Sequence, residues 1–182
     1  MSTQFPGFGG PSASVEAPLE MLAACHMRIL RQCDTLERLI SHLQTNGVDQ
    51  QARQAASNIM RYFNTAAIDH HADEEQDLFP AMLESVGGSD AVCIKDLIYT
   101  LENQHAHLER LWIKIKPSLN EISNGIYSDI CNETIRAFIN SYRTHIKLEN
   151  EELLPLANRI LDLSLLNRIG ESMRVRRGIK HI

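Results

Sequence analysis

The stretch from Phe63 to Met82, FNTAAIDHHADEEQDLFPAM, recurs without a gap 75 residues later as FINSYRTHIKLENEELLPLA, Phe138 to Ala157. The shared frame, F-x6-H-x3-E-x3-L-[FL]-P, aligns Phe63 with Phe138, His70 with His145, Glu74 with Glu149, Leu78 with Leu153 and Pro80 with Pro155. A His and a Glu four apart share one face of a helix, roughly 40° apart around its axis. Both segments set that polar pair in line with an otherwise apolar stripe. Burying an imidazole and a carboxylate on a core face is costly unless something pairs them. Two such pairs call for a common partner, and a bound metal is the natural candidate.

The rest of the chain supplies helices on which to mount them. A first helix opens near Pro18, a residue suited to the first helical position, and carries Leu22, His26, Ile29, Cys33, Leu36, Ile40 and Leu43 at three-four spacing. Asn46-Gly47 ends it, and Asp49 caps a second helix that runs to about Glu84, with Pro80 expected to kink its last turns. Gly87-Gly88 marks a loop. A third helix, about 91 to 123, shows Ile94, Leu97, Leu101, His105, Leu108, Trp112, Ile115 and Leu119 on one stripe, and Asn124-Gly125 stops it. A fourth, from about Ser128 to Leu161, contains the second copy of the frame. A short fifth, roughly 163 to 177, ends in Arg174, Arg176, Arg177 and Lys180, which read as a solvated face.

Helices 1 and 3 echo each other too, at an offset of 79 that brings Leu22, His26, Ile29 and Leu36 onto Leu101, His105, Leu108 and Ile115. The chain is therefore two αα-hairpins, each giving one histidine from its first helix and a His-x3-Glu from its second. Short connections make neighbouring helices antiparallel. The expected fold is all-α, an up-down-up-down antiparallel four-helix bundle over residues 17–161, with a flexible N-terminal arm (1–16) and a C-terminal helix and basic tail (162–182). At 1.5 Å per residue, all four histidines fall roughly 12 to 24 Å from the same end of such a bundle, so they can converge.

Composition narrows the function. Apolar residues make up 43% of the 182 and charged residues 23%, the balance of a globular domain. A net charge of −5 argues against a nucleic-acid-binding surface. No apolar run is long enough for a membrane span, and the Pro/Gly/Ser-rich start lacks the basic and apolar regions of a secretory signal. The cytoplasm is the expected location. Cys25, Cys33, Cys93 and Cys131 lie at no metal-knuckle spacing and read as reduced thiols filling the core.

The candidate ligands are His26, His70, Glu74, His105, His145 and Glu149. Four imidazoles and two carboxylates are too many for one tetrahedral zinc. They suit two metals, each taking two nitrogens, with both glutamates bridging and an oxo, hydroxo or water bridge completing five-coordination. This ligand mix suits iron, with manganese or zinc as substitutes. An open position on a reducible metal would take dioxygen, peroxide or nitric oxide. No separate nucleophile or acid pair stands out for hydrolysis.

Over residues 18 to 160 the chain resembles the hemerythrin family, specifically the bacterial hemerythrin-like HHE cation-binding domains. The resemblance rests on His26, HHADEEQDLFP from His70 to Pro80, Gln104-His105, HIKLE from His145 to Glu149, and ELLP from Glu152 to Pro155. It implies a non-haem di-iron centre in a four-helix bundle, with Glu74 and Glu149 as bridges and four terminal histidines. Two departures matter. Where oxygen-carrying hemerythrins have a fifth histidine one turn past the helix 3 ligand, this chain has Glu109; where they bridge with an aspartate, it has Asn150. A 4-His, 2-Glu set resembles instead the branch with di-iron repair and iron-sensing domains. The function this implies is binding or reacting with a small ligand in oxidative or nitrosative stress or iron homeostasis. The alternative is a non-enzymatic sensor or adaptor of iron, oxygen or nitric oxide, whose protein partner would meet the N-terminal arm or the basic tail.

Other positions are secondary. Glu109 is a candidate extra oxygen ligand. Tyr142, one turn before His145, is a candidate ligand or proton donor, or otherwise a core aromatic. Asp77 and Glu152, paired at the 75-residue offset, read as solvated charges near the helix ends. His42, His71 and His107 turn away from their ligand neighbours on a helical wheel, and with Glu75 and Glu151 they read as surface or boundary residues.

Overall fold

The computed structural model describes residues 17–179. The expected N-terminal arm and Lys180 lie outside them. Eight α-helical segments follow in order: α1 Pro18–Asn46, α2 Gln50–Phe63, α3 Ala66–Asp73, α4 Phe79–Glu84, α5 Ser89–Ser123, α6 Asn132–Leu148, α7 Leu154–Ile160 and α8 Leu163–Arg176. Two π-helical turns, Glu74–Leu78 and Glu149–Leu153, join α3 to α4 and α6 to α7. The rods α1, α2–α4, α5 and α6–α7 make the antiparallel four-helix bundle, and α8 lies against α1, α3 and the first π turn.

The two Asn-Gly pairs do what the sequence asks of them. Gly47 and Gly125 take φ of 68° and 84°, the left-handed backbone that reverses a chain after a helix. Asp49 accepts a hydrogen bond from the Ala52 amide at 2.8 Å and so caps α2. The fourth rod starts later than expected, at Asn132 rather than Ser128, because Ile130 is drawn into the core and Cys131 is extended before it.

The second rod is not one kinked helix. It breaks at Asn64-Thr65, then widens at Glu74 into the π turn. The prolines explain that widening. Pro80 has no amide proton, and in a regular helix its ring would clash with the carbonyl four residues back. The Phe79 amide reaches back five residues to the Glu74 carbonyl instead, and Leu154 does the same to Glu149. The echo in sequence is thus an echo in backbone, with each wide turn starting on a glutamate of the frame.

The apolar core is divided. One cluster runs from Ile29, Leu36, Ile59, Phe63, Leu108, Ile115, Phe138 and Tyr142 towards the Asn-Gly loops. The other gathers Leu22, Leu78, Phe79, Met82, Leu101, Leu153 and, from α8, Ile169 and Met173. In every rod the polar residues of the echo fall between a member of one cluster and a member of the other. The bundle is a sandwich of two dry cores around a polar belt.

Candidate metal centre

That belt holds His26, His70, Glu74, His105, His145 and Glu149, all buried. Two groups of four have ligand atoms within 4.8 Å of one another: His26, His70, Glu74 and Glu149, and Glu74, His105, His145 and Glu149. Each group could hold a metal ion, and the glutamates belong to both. The structure therefore brings together all six residues singled out from sequence.

Three of the rings are oriented from outside. His26 Nδ1 lies 2.8 Å from Asn150 Oδ1, His105 Nδ1 is 2.6 Å from Glu75 Oε1, and His145 Nδ1 is 2.9 Å from Gln104 Oε1. Each oxygen accepts, so each Nδ1 carries its proton and donates it, and Nε2 is turned inward. That is how a metal-binding histidine is fixed. The pattern follows the two-fold of the hairpins. Glu75 and Asn150, each one residue past its glutamate, reach across to the histidine of the opposite hairpin's first helix.

The inward atoms are unsatisfied. His26 Nε2, both nitrogens of His70 and all four carboxylate oxygens of Glu74 and Glu149 are buried without a hydrogen-bond partner among the described residues. His26 Nε2 sits 3.1 Å from Glu149, and His145 Nε2 3.1 Å from the same carboxylate. His105 and His145 bring their Nε2 atoms within 3.2 Å of each other, which requires a proton or a cation beside them. Burial pushes His26 and His105 towards neutrality, but the two carboxylates outweigh it and lift each to about 10. His70, fully buried, is instead pushed down to about 4. Burial raises both glutamates, and Glu149 raises Glu74 further, yet the surrounding imidazoles hold Glu74 below its ordinary value and Glu149 well below. Without metal, protons on His26 and His105 balance the two carboxylates. A pair of cations can replace those protons and satisfy the orphaned atoms together, so the donor set fits a two-metal centre.

The surroundings differ from expectation in several places. Glu75 is exposed but no bystander, since it holds His105. His71, expected at the surface or boundary, is half-buried, with its Nε2 buried and its ring stacked on His105, centroids 3.9 Å apart. The basic tail is not a solvated face: Arg176 and Arg177 both bind the buried carboxylate of Asp73, and Arg176 also donates to Asp77 at 2.8 Å. Asp77 is therefore paired rather than solvated. Docking of α8 across α3 accounts for both, and Asp73 carried no signal in the sequence because its partners lie some hundred residues away. Cys25 and Cys33 are buried as expected, but Cys93 and Cys131 are exposed.

A cleft of about 710 Å³ opens beside the belt, lined by Phe63, His71, Glu75, His105, Glu109, Trp112 and Tyr142 among others. Glu109 is exposed there and joins neither four-residue group. Tyr142 is buried, packed against Phe63, Phe138 and His145, and its phenol is pushed well above the ordinary value by burial. Trp112 packs on Phe63 and Phe138 at the edge of the core, donates to Asn64 Oδ1 at 3.1 Å and lines the cleft with its outer side.

The profile of the Hemerythrin HHE cation binding domain matches residues 17–157. An uncharacterized protein of Haemophilus influenzae (strain Rd) is 34% identical over 168 residues, covering 92% of this chain and 94% of that protein. With paired His/Glu groups buried in the bundle and a profile match over most of its length, the chain belongs to the hemerythrin HHE cation-binding family, as a non-haem di-iron protein that binds a small ligand.

Proposed function

We propose that His26 and His70 hold one iron, His105 and His145 the other, with Glu74 and Glu149 bridging, and that the pair meets dioxygen, peroxide or nitric oxide in oxidative or nitrosative stress or iron homeostasis. The observation that carries this reading is the cleft that brings solvent up to His105 at the edge of the belt. Iron held there supplies a change of oxidation state and an open position for such a ligand. The chain supplies the rest. Glu75, Gln104 and Asn150 fix three imidazoles, the two apolar cores flank the belt, and the cleft opens onto it between α3 and α5. Among the described residues no helix is long and apolar enough to cross a membrane. We place the protein in the cytoplasm, a compartment that suits its four free thiols.

A second reading, a non-enzymatic sensor, has its own observation. Asp73 precedes Glu74 directly and is gripped by Arg176 and Arg177 of α8, so a shift at the centre bears on the C-terminal helix. One experiment separates the two. The diferrous protein is mixed anaerobically with peroxide or nitric oxide in a stopped-flow instrument, while hydrogen exchange is followed in α8. Repeated consumption of either reagent is expected for the first reading. Loss of protection in α8 without turnover would favour the second, and no response of the iron spectrum to any small ligand would contradict both.

A further inference from the structure

We infer that the outer face of α5 is a self-association surface, and that its occupant is a second copy of this chain with its own α5 running antiparallel. The inference does not depend on the metals. Val92, Tyr99, Ala106 and Ile113 recur every seven residues along α5. That spacing keeps them on one side of a helix, drifting only about 20° per heptad, a drift that a shallow left-handed crossing absorbs. The core-facing residues Ile94, Leu101, His105, Leu108 and Ile115 lie on the opposite side. Val92, Tyr99 and Ile113 are 59%, 68% and 61% exposed, and Ala106 is exposed as well. They form a line about 32 Å long. The other large exposed apolar residues among those described are scattered over α1, α3, α8 and the segments that follow α5 and α8, without such a line.

The charges beside the stripe point to the occupant. Lys95, Glu102 and Glu109 flank it on one side, Asp96, Asn103 and Arg110 on the other, all exposed. Lys95, Asp96, Glu109 and Arg110 form no ion pair among the described residues, whereas Arg143 on α6 binds Asp34 and Glu37. A two-fold axis across two antiparallel helices keeps like sides together and reverses their order. With Tyr99 set on Ala106 of the second copy, Val92 meets Ile113. Lys95 then faces Glu109 and Asp96 faces Arg110, each pair twice over. The bulkiest member of the line packs on the smallest. A parallel pair would instead set Tyr99 on Tyr99 and Ala106 on Ala106, forcing the axes apart at one level and leaving a gap at the next. Among the flanking residues, the one like-charge meeting in the antiparallel register is Glu102 with its own mate at the axis. Glu102, Ala106, Glu109 and Ile113 also line the cleft, so the second copy borders its mouth on the α5 side. One helix pair is a small interface, and a concentration-dependent dimer in the micromolar range is expected.

Sedimentation equilibrium on the full chain, over roughly 1 to 200 µM, is the test. Asp96→Arg turns two attractions into repulsions and is expected to weaken the dimer about tenfold. Adding Arg110→Asp should restore the parent affinity. In a parallel pair the same double change would set like charges beside Lys95 and Glu109 and restore nothing. Glu102→Gln should tighten the dimer. Disulfide trapping in a Cys93→Ser, Cys131→Ser background reads the register. Asn103→Cys, at the two-fold axis, should cross-link two copies, while Ala106→Cys, about 10 Å from its mate, should not. All these positions are exposed, so the melting curves are expected to match the parent's. A chain that stays monomeric at the highest concentration would overturn the inference and leave the stripe to another protein's helix. A dimer that ignores Asp96→Arg, or that Ala106→Cys traps and Asn103→Cys does not, would overturn it too, as pairing through another face or in the parallel sense.

Discussion

Glutamine at both Glu74 and Glu149 is expected to abolish retention of the iron pair. Each carboxylate belongs to both groups of ligand atoms, so the double change removes two of four ligands from each metal at once. It also removes both carboxylates that lift His26 to about 10, leaving burial to dominate that ring, whereas His105 keeps Glu75. Losing a charged partner at a buried site costs about 3–5 kcal/mol, which is a weakening of about a hundredfold to a few thousandfold. Iron measured after desalting should fall from two equivalents to less than one. The far-ultraviolet circular dichroism should stay helical, because the flanking cores are untouched. Two tightly held equivalents in the double variant would be incompatible with bridging by these residues.

Alanine at both Arg176 and Arg177 has the next largest expected effect. Asp73 is fully buried, and those two guanidinium groups are what face its carboxylate. Stripping both leaves a buried charge unpaired, at about 3–5 kcal/mol; because the arginines are 18–19% exposed and water can enter from their side, the lower end is expected. Urea unfolding of the metal-free protein measures it. Adding Asp73→Asn should recover part of the loss, since a neutral amide needs less compensation. A double variant within about 0.5 kcal/mol of the parent would mean that α8 is held by Ile169 and Met173 alone. Iron retention should fall as well, since Asp73 leads directly into the π turn that positions Glu74.

The centre was legible because its main residues are local in sequence. A His and a Glu four apart, repeated in a longer frame, point inward wherever the surrounding stripe is apolar, and short loops leave the four rods few ways to pack. What acts across the bundle was not legible. Glu75 and Asn150 serve histidines on the opposite hairpin, so no spacing along their own helix reveals them, although their place just after each glutamate is a signal in retrospect. A helical wheel places His71 about 100° from His70. That angle leads to the face of α5, not to solvent. Sequence alone leaves the arginines solvated because their partner, Asp73, meets them only once α8 folds back over α3. The kink expected at Pro80 is instead a widened turn that begins on Glu74, and Pro155 follows a matching turn that begins on Glu149.

Diffraction from crystals loaded with ferrous iron, collected on both sides of the iron absorption edge, tests the centre most directly. Two anomalous peaks are expected in the belt, one against His26 and His70, the other against His105 and His145, both touching Glu74 and Glu149. A single peak, or a belt closed by its own hydrogen-bonded side chains in crystals soaked with excess iron, would contradict the account.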